Sequence, residues 1–302
     1  MKIEKNNNHI LVSVSVVTYN HANYINQCLD SILMQETDFP VEINLGEDGS
    51  TDGTREICQE YAKKHPDKIS LYLRDRKDVI YISGNPTGRF NFTENLKAAR
   101  GKYIALCEGD DYWTDPLKLQ KQVDLLENNK ELVGSYSETD VLNEDGSIFP
   151  WTGHLPNDMT LNDVIAKWSP FHTSSFIFKK AALPDFPKWF YQVASGDMFL
   201  FAVLALKGKF AKVDTCRTVY RKHGGGVTNY SSNKDYCLHL ARLDLWVNFK
   251  TEYDIKLPKI DEVIVFHSLG ILKGIKITSL AKNFIKLIFF SFVKFVGKFF
   301  RG

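Results

Sequence analysis

Short apolar runs alternate with amphipathic segments through the first third of the chain. Each run is rich in β-branched residues and is bounded by polar ones, which is typical of strands buried on both faces. The predicted strands are Ile10 to Val17, Val41 to Leu45, Ile69 to Leu73 and Tyr103 to Leu106. The intervening segments follow helical spacing, and the predicted helices lie around Ile25 to Leu33, around Ile57 to Ala62, and from Arg89 to Arg100 with Gly101 as a stop. This alternation predicts an α/β fold with a mostly parallel central sheet and flanking helices.

The pattern is less regular beyond the fourth strand. Asp115 and Pro116 predict the start of a helix with Leu119, Val123 and Leu126 on its apolar face. Residues 135–168 are rich in turn formers and show no clear period. The elements predicted after them are a strand from His172 to Phe178, a buried helix from Met198 to Leu206 and a strand within Phe210 to Arg221.

The composition is that of a globular protein, with 44% hydrophobic and 25% charged residues in a chain of 302. The five cysteines are odd in number and widely spaced, which indicates neither a disulfide framework nor a zinc site. The polar segment Met1 to Asn8 has no apolar centre of the kind found in signal peptides. These features together favour a reducing cytosol.

The charge is unevenly distributed along the chain. The net charge is +2, but from Val263 onward there are seven basic residues and no acidic one, so residues 1–262 carry a net charge of −5. A mildly acidic body argues against a nucleic-acid partner, and the basic tail favours an anionic one.

Three acidic residues follow the fourth predicted strand, namely Glu108, Asp110 and Asp111. In an open α/β sheet the carboxyl ends of the strands are where ligands bind. Clustered carboxylates repel one another unless a cation lies among them, and oxygen ligands favour magnesium or manganese. The alternative is a solvated acidic turn that only caps the next helix.

Three further stretches carry candidate chemistry. Asp48 lies in an Asp-Gly-Ser-Thr-Asp string between a strand and a helix, where its carboxylate can accept a hydrogen bond from a base or ribose or can belong to a plain capped turn. Asp197 precedes the apolar helix, either as a general base or as a carboxylate favoured by the helix dipole. Arg221 and His223 lead into three glycines; they can serve a diphosphate and a metal, or His223 can be a plain surface residue.

In this order the four stretches resemble the family 2 glycosyltransferases, from Ser13 to about Thr228. The most specific matches are Val16 to Asn20, Asp48 to Asp52, Ala99 to Ile104 and Glu108 to Trp113. The resemblance implies a nucleotide-diphospho-sugar transferase (GT-A-like) fold.

The resemblance also implies roles for individual residues. Thr18, Tyr19 and Asn20 are expected to line the nucleotide pocket, with Asp48 on the base. The donor contacts would include Glu108 and Asp110, the outer positions of an Asp-x-Asp motif in which glutamate here replaces the first aspartate, together with Arg221. The expected metal ligands, for Mn²⁺ or Mg²⁺, are Asp110, Asp111 and His223. Asp197 falls at the position of the catalytic base, and in-line displacement by the acceptor hydroxyl would invert the anomeric centre.

The predicted organisation has three parts. Residues 1–9 form a flexible amino terminus, and residues 10–230 form the transferase domain, with a nucleotide-sugar-binding half at 10–115 and an acceptor half at 116–230. Residues 231–302 form a helical region. Its end, 279–302, is a basic amphipathic helix too short in uncharged residues to span a membrane, so it is expected to lie on an anionic membrane surface. The alternative is that this helix covers the enzyme's own core or a second subunit.

The expected function is a metal-dependent inverting glycosyltransferase of cell-surface glycan synthesis, peripheral on the inner face of the cytoplasmic membrane. Its donor would be a nucleotide sugar, a UDP-sugar by default, and its acceptor a glycan or lipid-linked hydroxyl. A processive synthase is disfavoured because the chain lacks multiple spans and a Gln-x-x-Arg-Trp string. A catalytically silent nucleotide-sugar-binding or membrane scaffold protein is the alternative from another class.

Overall fold

The computed structural model describes residues 10–82, 84–151, 155–167, 170–226 and 234–274, without the side chains of 234–238 and 273–274. The predicted amino-terminal segment 1–9 and the amphipathic tail 279–302 therefore lie outside the described residues. Within the described part, no helix combines the length and the apolar character needed to cross a membrane.

The described strands form one ten-stranded sheet and a separate two-stranded hairpin. In chain order they are β1 (Val12–Thr18), β2 (Val41–Glu47), β3 (Ile69–Leu73), β4 (Ile80–Ile82), β5 (Asn85–Thr87), β6 (Tyr103–Glu108), β7 (Tyr112–Trp113), β8 (Leu132–Asn143), β9 (Ile148–Pro150), β10 (Asp158–Met159), β11 (Ile177–Lys179) and β12 (Lys209–Lys222). The described helices are α1 (Ile25–Leu33), α2 (Thr54–Lys64), α3 (Arg89–Ala98), α4 (Lys118–Asn128), α5 (Leu161–Ala166), α6 (Gly196–Ala205), α7 (Lys234–Glu252) and α8 (Pro258–Gly274).

The main path of the sheet runs β10-β12-β8-β11-β6-β1-β2-β3. The half containing β6, β1, β2 and β3 is parallel, as the alternation of strands and helices predicts. The short β11 enters antiparallel between β6 and β8, while β8 and β12 are parallel to each other. The predicted α/β fold with a mostly parallel central sheet is thus confirmed.

Two apolar clusters cover the sheet. One contains buried side chains of α1, α4 and strands β1, β2 and β6. The other surrounds α6, in which every residue from Met198 to Ala205 is buried. Helices α7 and α8 contribute Trp246, Phe249 and Ile260 to this second cluster, so the described part of the carboxyl-terminal region shares a core with the sheet.

Several predicted boundaries are wrong, each for a local reason. Helix α4 begins at Lys118 rather than at Asp115 and Pro116, because the Asp115 carboxylate accepts the main-chain N–H of Leu117 and holds a turn before the helix. Helix α3 ends at Ala98 without a glycine stop. The main-chain N–H of Arg100 instead donates to Glu42 and to the Ser13 hydroxyl, which draws the chain out of the helix.

The predicted strand from His172 to Phe178 is also wrong. Thr173–Ser175 forms a 3₁₀ turn, and the strand is limited to Ile177–Lys179. The ring of His172 accepts the main-chain N–H of Ser174, and the Ser175 hydroxyl donates to the carbonyl of His172. Such local bonds offer the backbone an alternative to the strand ladder.

Candidate active site

The site is built at the carboxyl ends of β1, β2 and β6. In the sheet register Thr18 pairs with Glu47, and Val17 pairs with Glu108, so the loops that follow these strands emerge side by side. Asp48 follows directly on β2, and Asp110 and Asp111 follow on β6. Parallel strands therefore bring together acidic residues that are far apart in sequence.

Polar contacts join the loop after β1 to the loop after β2. Asn20 adopts a positive φ of 54°, which aims its side chain at the neighbouring loop. Its carboxamide oxygen accepts the N–H of Thr51 over 3.0 Å, and its own N–H donates to the Ser50 hydroxyl over 2.9 Å. Asp52 accepts the N–H of Ala22 over 3.0 Å. Asn20 thus acts in the structure as a brace between two site loops.

The side chain of Asp48 lies where these loops meet. The Asp48 carboxylate, 3% exposed at the residue level, accepts a hydrogen bond of 2.8 Å from Arg76. Burial raises the pKa of Asp48 to about 6, although the positive charge of Arg76 opposes this shift. The guanidinium of Arg76 also lies 4.1 Å above the ring of Tyr19. Tyr19 is 40% exposed, so one aromatic surface and one carboxylate are presented side by side.

Asp110 faces two histidine side chains. Its Oδ2 lies 3.1 Å from Nε2 of His223 and 3.6 Å from Nε2 of His21. Burial raises the pKa of Asp110, but the hydrogen bond to His223 and the charge of His21 outweigh it, so the pKa falls below its ordinary value. Burial lowers the pKa of His21. One ligand atom from each of the three side chains lies within 4.8 Å of the others, a spacing that can hold a metal ion.

Asp111 belongs to a second cluster, with Glu108 and His172. Its Oδ1 accepts the N–H of Arg221 over 3.0 Å, and its Oδ2 lies 3.5 Å from Nδ1 of His172. Burial and the charges of Asp110 and Glu108 raise the pKa of Asp111 well above its usual range. The structure thus brings Asp110 and His223 together and directs Asp111 to a different set of partners.

Glu108 is the last residue of β6, and its side chain lies in the cleft. Burial raises its pKa to about 7, with a hydrogen bond from Thr173 acting in the opposite direction. Its Oε2 is buried and has no hydrogen-bond partner within the described part of the chain, and the same holds for Oγ1 of Thr18. Buried polar atoms are nearly always paired. Both atoms are therefore suited to partners that a ligand supplies.

Arg221 closes the cleft from the end of β12. Its guanidinium donates to the carbonyl of Asp110 over 2.6 Å and to the carboxamide of Gln27. It also lies 4.5 Å from the ring centre of Tyr112 and 5.3 Å from that of Tyr24. The side chain thereby holds the last strand against the acidic loop, and with it the position of His223.

Asp197 enters the same cleft from the first turn of α6. Ser195 precedes this helix with a positive φ of 59°, which turns the chain sharply into the site. Burial raises the pKa of Asp197, and the charges of Arg89 and Arg242 oppose the rise. Asp197 is close enough to Glu108 for its charge to raise the pKa of that group as well.

Arg89 shapes the segment before Asp197. Its buried guanidinium donates to the carbonyls of Phe190 and Val193 over 2.5 and 3.1 Å. A Cβ on Gly196 would lie 2.7 Å from Cζ of Arg89, so the backbone of this turn packs directly on the guanidinium. Sequence reasoning missed Arg89 because it lies inside a helix with no recognised motif.

Sequence reasoning also missed His21, His172 and Arg76. His21 immediately follows the predicted nucleotide-binding residues Thr18 to Asn20, and this adjacency is the one signal that could have identified it. His172 stacks on Tyr220 with ring centres 4.4 Å apart, and Trp151 packs edge-on against both rings. The contact between these distant residues exists only in the folded chain.

Comparison with known proteins agrees with this architecture. The fold is GT-A-like, as in the solved neighbours. The profile described as glycosyl transferase family 2 matches residues 13–185. The chain belongs to this family, which confirms the resemblance seen in the sequence motifs.

Two curated relatives show how far the similarity extends along the chain. An uncharacterized protein of Mycobacterium bovis is 35% identical over 223 residues, which are 72% of this chain and 60% of the relative. A putative teichuronic acid biosynthesis glycosyltransferase of Bacillus subtilis, TuaG, is 30% identical over 155 residues, 51% of this chain and 57% of the relative. The chain thus spans about 60% of the length of these two curated relatives.

Two solved structures share the fold. Residues 1–349 of S. aureus TarS in complex with UDP-GlcNAc superpose with a TM-score of 0.60 at 18% identity, covering 84% of this chain and 70% of that fragment. A mannosyltransferase of Pyrobaculum calidifontis in complex with GDP-Man and Mn²⁺ gives a TM-score of 0.56 at 16% identity, covering 94% of this chain and 81% of that enzyme.

Proposed function

We propose that the protein is a metal-dependent inverting glycosyltransferase. It would move a sugar from a nucleotide-diphospho-sugar to a hydroxyl of a glycan or lipid-linked acceptor. The observation that carries this proposal is the convergence of Asp48, Glu108, Asp110, His223 and Asp197 on one cleft at the carboxyl ends of the parallel strands. Asp48 and Glu108 would bind the donor, Asp110 and His223 would bind the metal, and Asp197 would accept the proton of the acceptor.

The donor would bind with its base between Tyr19 and Asp48. Tyr19 offers an aromatic face, and the ionised Asp48 carboxylate can accept an N–H of the base. The unpaired Oγ1 of Thr18 and Oε2 of Glu108 are suited to ribose hydroxyls, which can donate to both. UDP is the default choice of nucleotide. The complexes of TarS with UDP-GlcNAc and of the mannosyltransferase with GDP-Man support a donor of this class.

The donor set around Asp110 fits a divalent cation. A carboxylate oxygen and imidazole nitrogens converge there; the carboxylate suits manganese, and imidazole is a common ligand of divalent transition metals. A cation bound at this place would stabilise the charge that grows on the diphosphate as the glycosyl bond breaks. Asp110 and His223 would hold it, and the Mn²⁺ in the solved mannosyltransferase supports such a requirement.

Asp197 would act as the general base. It lies in the first turn of α6, whereas the donor groups follow the strands, and burial raises its pKa toward the range useful for proton transfer. The acceptor oxygen forms a bond to the anomeric carbon as its proton passes to Asp197. The bond from that carbon to the diphosphate oxygen breaks, and its electron pair leaves with the diphosphate. A single displacement of this kind inverts the configuration.

The proposed setting is synthesis of a cell-surface glycan at the cytoplasmic membrane. The name of TuaG, which refers to teichuronic acid biosynthesis, supports such a setting. The predicted basic amphipathic tail 279–302 would hold the enzyme, peripherally, at the inner face where lipid-linked acceptors lie. Residues 10–115 would then serve the donor, and residues 116–230 the acceptor.

Thermal unfolding in the presence of nucleotides tests the donor site. The purified protein is heated with UDP, GDP, CDP or dTDP, with and without Mn²⁺, alongside Asp110→Ala. A ligand at 100 times its Kd stabilises by about 2.7 kcal/mol, which raises Tm by about 4–5 °C in a domain of this size. A metal-dependent shift for one nucleotide, absent in Asp110→Ala, is the expected result. No shift with any nucleotide would favour the catalytically silent scaffold.

A further inference from the structure

His21 is fixed at the edge of the cleft by contacts that do not involve its ring. Its main-chain N–H donates to Oγ1 of Thr54 over 2.8 Å, and its carbonyl accepts the N–H groups of Tyr24 and Ile25 at the start of α1. Asn20 before it is braced against the next loop. Since the backbone is held on both sides, the imidazole is presented to the cleft in a defined position.

The ring of His21 completes a compact group of donor atoms. Its Nε2 lies 3.6 Å from Oδ2 of Asp110, which is too long for a hydrogen bond. The second histidine, His223, reaches the same oxygen over 3.1 Å, and the two rings are nearly perpendicular with centres 6.1 Å apart. Two imidazoles and one carboxylate thus approach a common point from different directions.

These separations match the spacing of ligands around a six-coordinate ion. Metal–ligand bonds of about 2.1 Å place neighbouring ligand atoms of an octahedron about 3.0 Å apart. The distances of 3.1 and 3.6 Å exceed this value by about 0.1 and 0.6 Å, and a movement of the His21 side chain toward Asp110 would remove the larger difference. Nδ1 of His21 is buried and finds no hydrogen-bond partner among residues that the structure describes, so no hydrogen bond of this atom opposes the movement.

We propose that His21 is a third protein ligand of the divalent cation, together with Asp110 and His223. This inference rests on the proposed function, which requires only that a cation bind at Asp110. The protein would then supply two nitrogen atoms and one oxygen on one side of the ion. The remaining positions would be open to the diphosphate and to water.

The ligand set predicts which ion is preferred. Magnesium is held mainly by oxygen ligands and binds imidazole poorly, whereas manganese and the later divalent metals accept imidazole nitrogen readily. With two imidazoles the site should favour Mn²⁺ over Mg²⁺ more strongly than a site with one. Removing His21 should therefore weaken Mn²⁺ binding more than Mg²⁺ binding.

Electron spin-echo spectroscopy of bound Mn²⁺ tests the assignment directly, because it detects ¹⁴N nuclei coordinated to the ion. Wild type, His21→Ala and His223→Ala are compared with Mn²⁺ alone and with Mn²⁺ plus UDP. His65→Ala is the matched control, because His65 caps the carboxyl end of α2 and does not belong to the group of His21, Asp110 and His223. We expect coupling to two imidazoles in wild type and His65→Ala, and to one in each of the other two variants. Loss of a direct ligand should weaken Mn²⁺ binding by about tenfold or more. Competition titrations with Mg²⁺ should show that the affinity for Mg²⁺ falls by a smaller factor.

The outcomes separate this inference from the proposed function. A single coupled imidazole that persists in His21→Ala and disappears in His223→Ala would overturn the role of His21 while leaving the metal site in place. Unchanged Mn²⁺ coupling combined with weaker UDP binding in His21→Ala would also overturn it, because His21 would then contact the diphosphate. Absence of Mn²⁺ binding by folded wild-type protein would overturn both proposals. Circular dichroism confirms that each variant is folded.

Discussion

The main-chain N–H of Arg221 donates to the buried carboxylate of Asp111 over 3.0 Å. This bond ties the end of β12 to the loop after β6. His223 follows Arg221 by two residues, so its distance from Asp110 depends on the same connection. Asp111 therefore makes a structural contact, and the sequence motifs also predict it as a metal ligand.

The two roles of Asp111 can be separated by substitution. Asp111→Asn keeps an oxygen that can accept the N–H of Arg221, so we expect Mn²⁺ affinity close to that of wild type. Asp111→Ala leaves that buried N–H unpaired, which costs about 1–3 kcal/mol of stability, and should displace His223 and weaken Mn²⁺ binding. Denaturant unfolding and metal titration measure both effects. Loss of Mn²⁺ binding in Asp111→Asn at unchanged stability would favour a direct ligand role.

Gly196 is the point where the turn before α6 packs on Arg89. A Cβ at this position would lie 2.7 to 2.9 Å from three guanidinium atoms, and the guanidinium is held by two buried carbonyls. Gly196→Ala should therefore destabilise the protein by about 1–3 kcal/mol and lower kcat by moving Asp197. Thermal unfolding and steady-state kinetics measure the two effects.

Gly88 provides the matched control for this substitution. It immediately precedes Arg89, its φ is −76°, and a Cβ there meets no atom within 4 Å among the residues described. Gly88→Ala should leave both stability and kcat near wild type. Equal effects of the two substitutions would contradict the packing argument.

Asp197→Asn tests the proposed base. The carboxamide cannot accept the proton of the acceptor hydroxyl, so turnover should fall by roughly 10² to 10⁴, while nucleotide binding persists. Asp124→Asn is the control, since Asp124 is exposed on α4. Turnover of Asp197→Asn equal to that of the control would remove the assigned role. The readouts are the rate of nucleoside diphosphate release and the Tm shift with nucleotide.

The parallel half of the sheet could be predicted because its strands are rich in β-branched residues. Strand β8 could not, although it is twelve residues long. Half of its eight buried positions hold the small residues Gly134, Ser135, Ser137 and Thr139, which interrupt the hydrophobic pattern. The strand therefore fell inside a region that reads as turns.

Helix α3 could be predicted, but the hydrophobic pattern does not indicate which of its faces is buried. Its buried face is polar, and the carboxamides of Asn91 and Asn95 donate to main-chain carbonyls of Gly46, Val16 and Asn44. These bonds hold the helix on the sheet through groups that a hydrophobic pattern treats as solvent-exposed. The candidate site follows the same rule. The sequence motifs identified the acidic residues. The grouping of Asp110 with His21 could not be predicted, because it depends on how two loops fold against each other.

The basic tail offers a prediction about membrane binding. Residues 279–302 lie outside the described part of the structure, and their sequence predicts a helix with one basic and one apolar side. Each lysine or arginine near an anionic surface contributes about 1 kcal/mol. Removal of Lys282 to Gly302 should therefore release the protein from phosphatidylglycerol vesicles in a flotation assay. The replacements Lys294→Gln and Lys298→Gln should weaken vesicle binding and reduce its salt dependence. Persistent binding of the truncated protein would contradict a membrane-binding role of the tail.

Asp48 gives a prediction about pH. Burial raises its pKa to about 6, while Arg76 and Arg74 lower it and Glu47 raises it further. Only the ionised carboxylate is a pure acceptor for an N–H of the base, so UDP binding should weaken as the pH falls through 6. If the protonated form does not bind, the ionised fraction falls from nearly all at pH 7 to about a tenth at pH 5, which weakens apparent affinity about tenfold.

Comparison with Asp48→Asn isolates this contribution. The diphosphate itself titrates in the same range, but it does so equally with both proteins, so the ratio of the two Kd values reports on residue 48 alone. Calorimetry at fixed Mn²⁺ should show that the advantage of wild type over Asp48→Asn is largest above pH 7 and shrinks toward pH 5. The ratio would be independent of pH if Asp48 remained ionised throughout, or if the base lay elsewhere in the cleft. In that case the contact between Asp48 and Arg76 would serve only to hold the loop after β2.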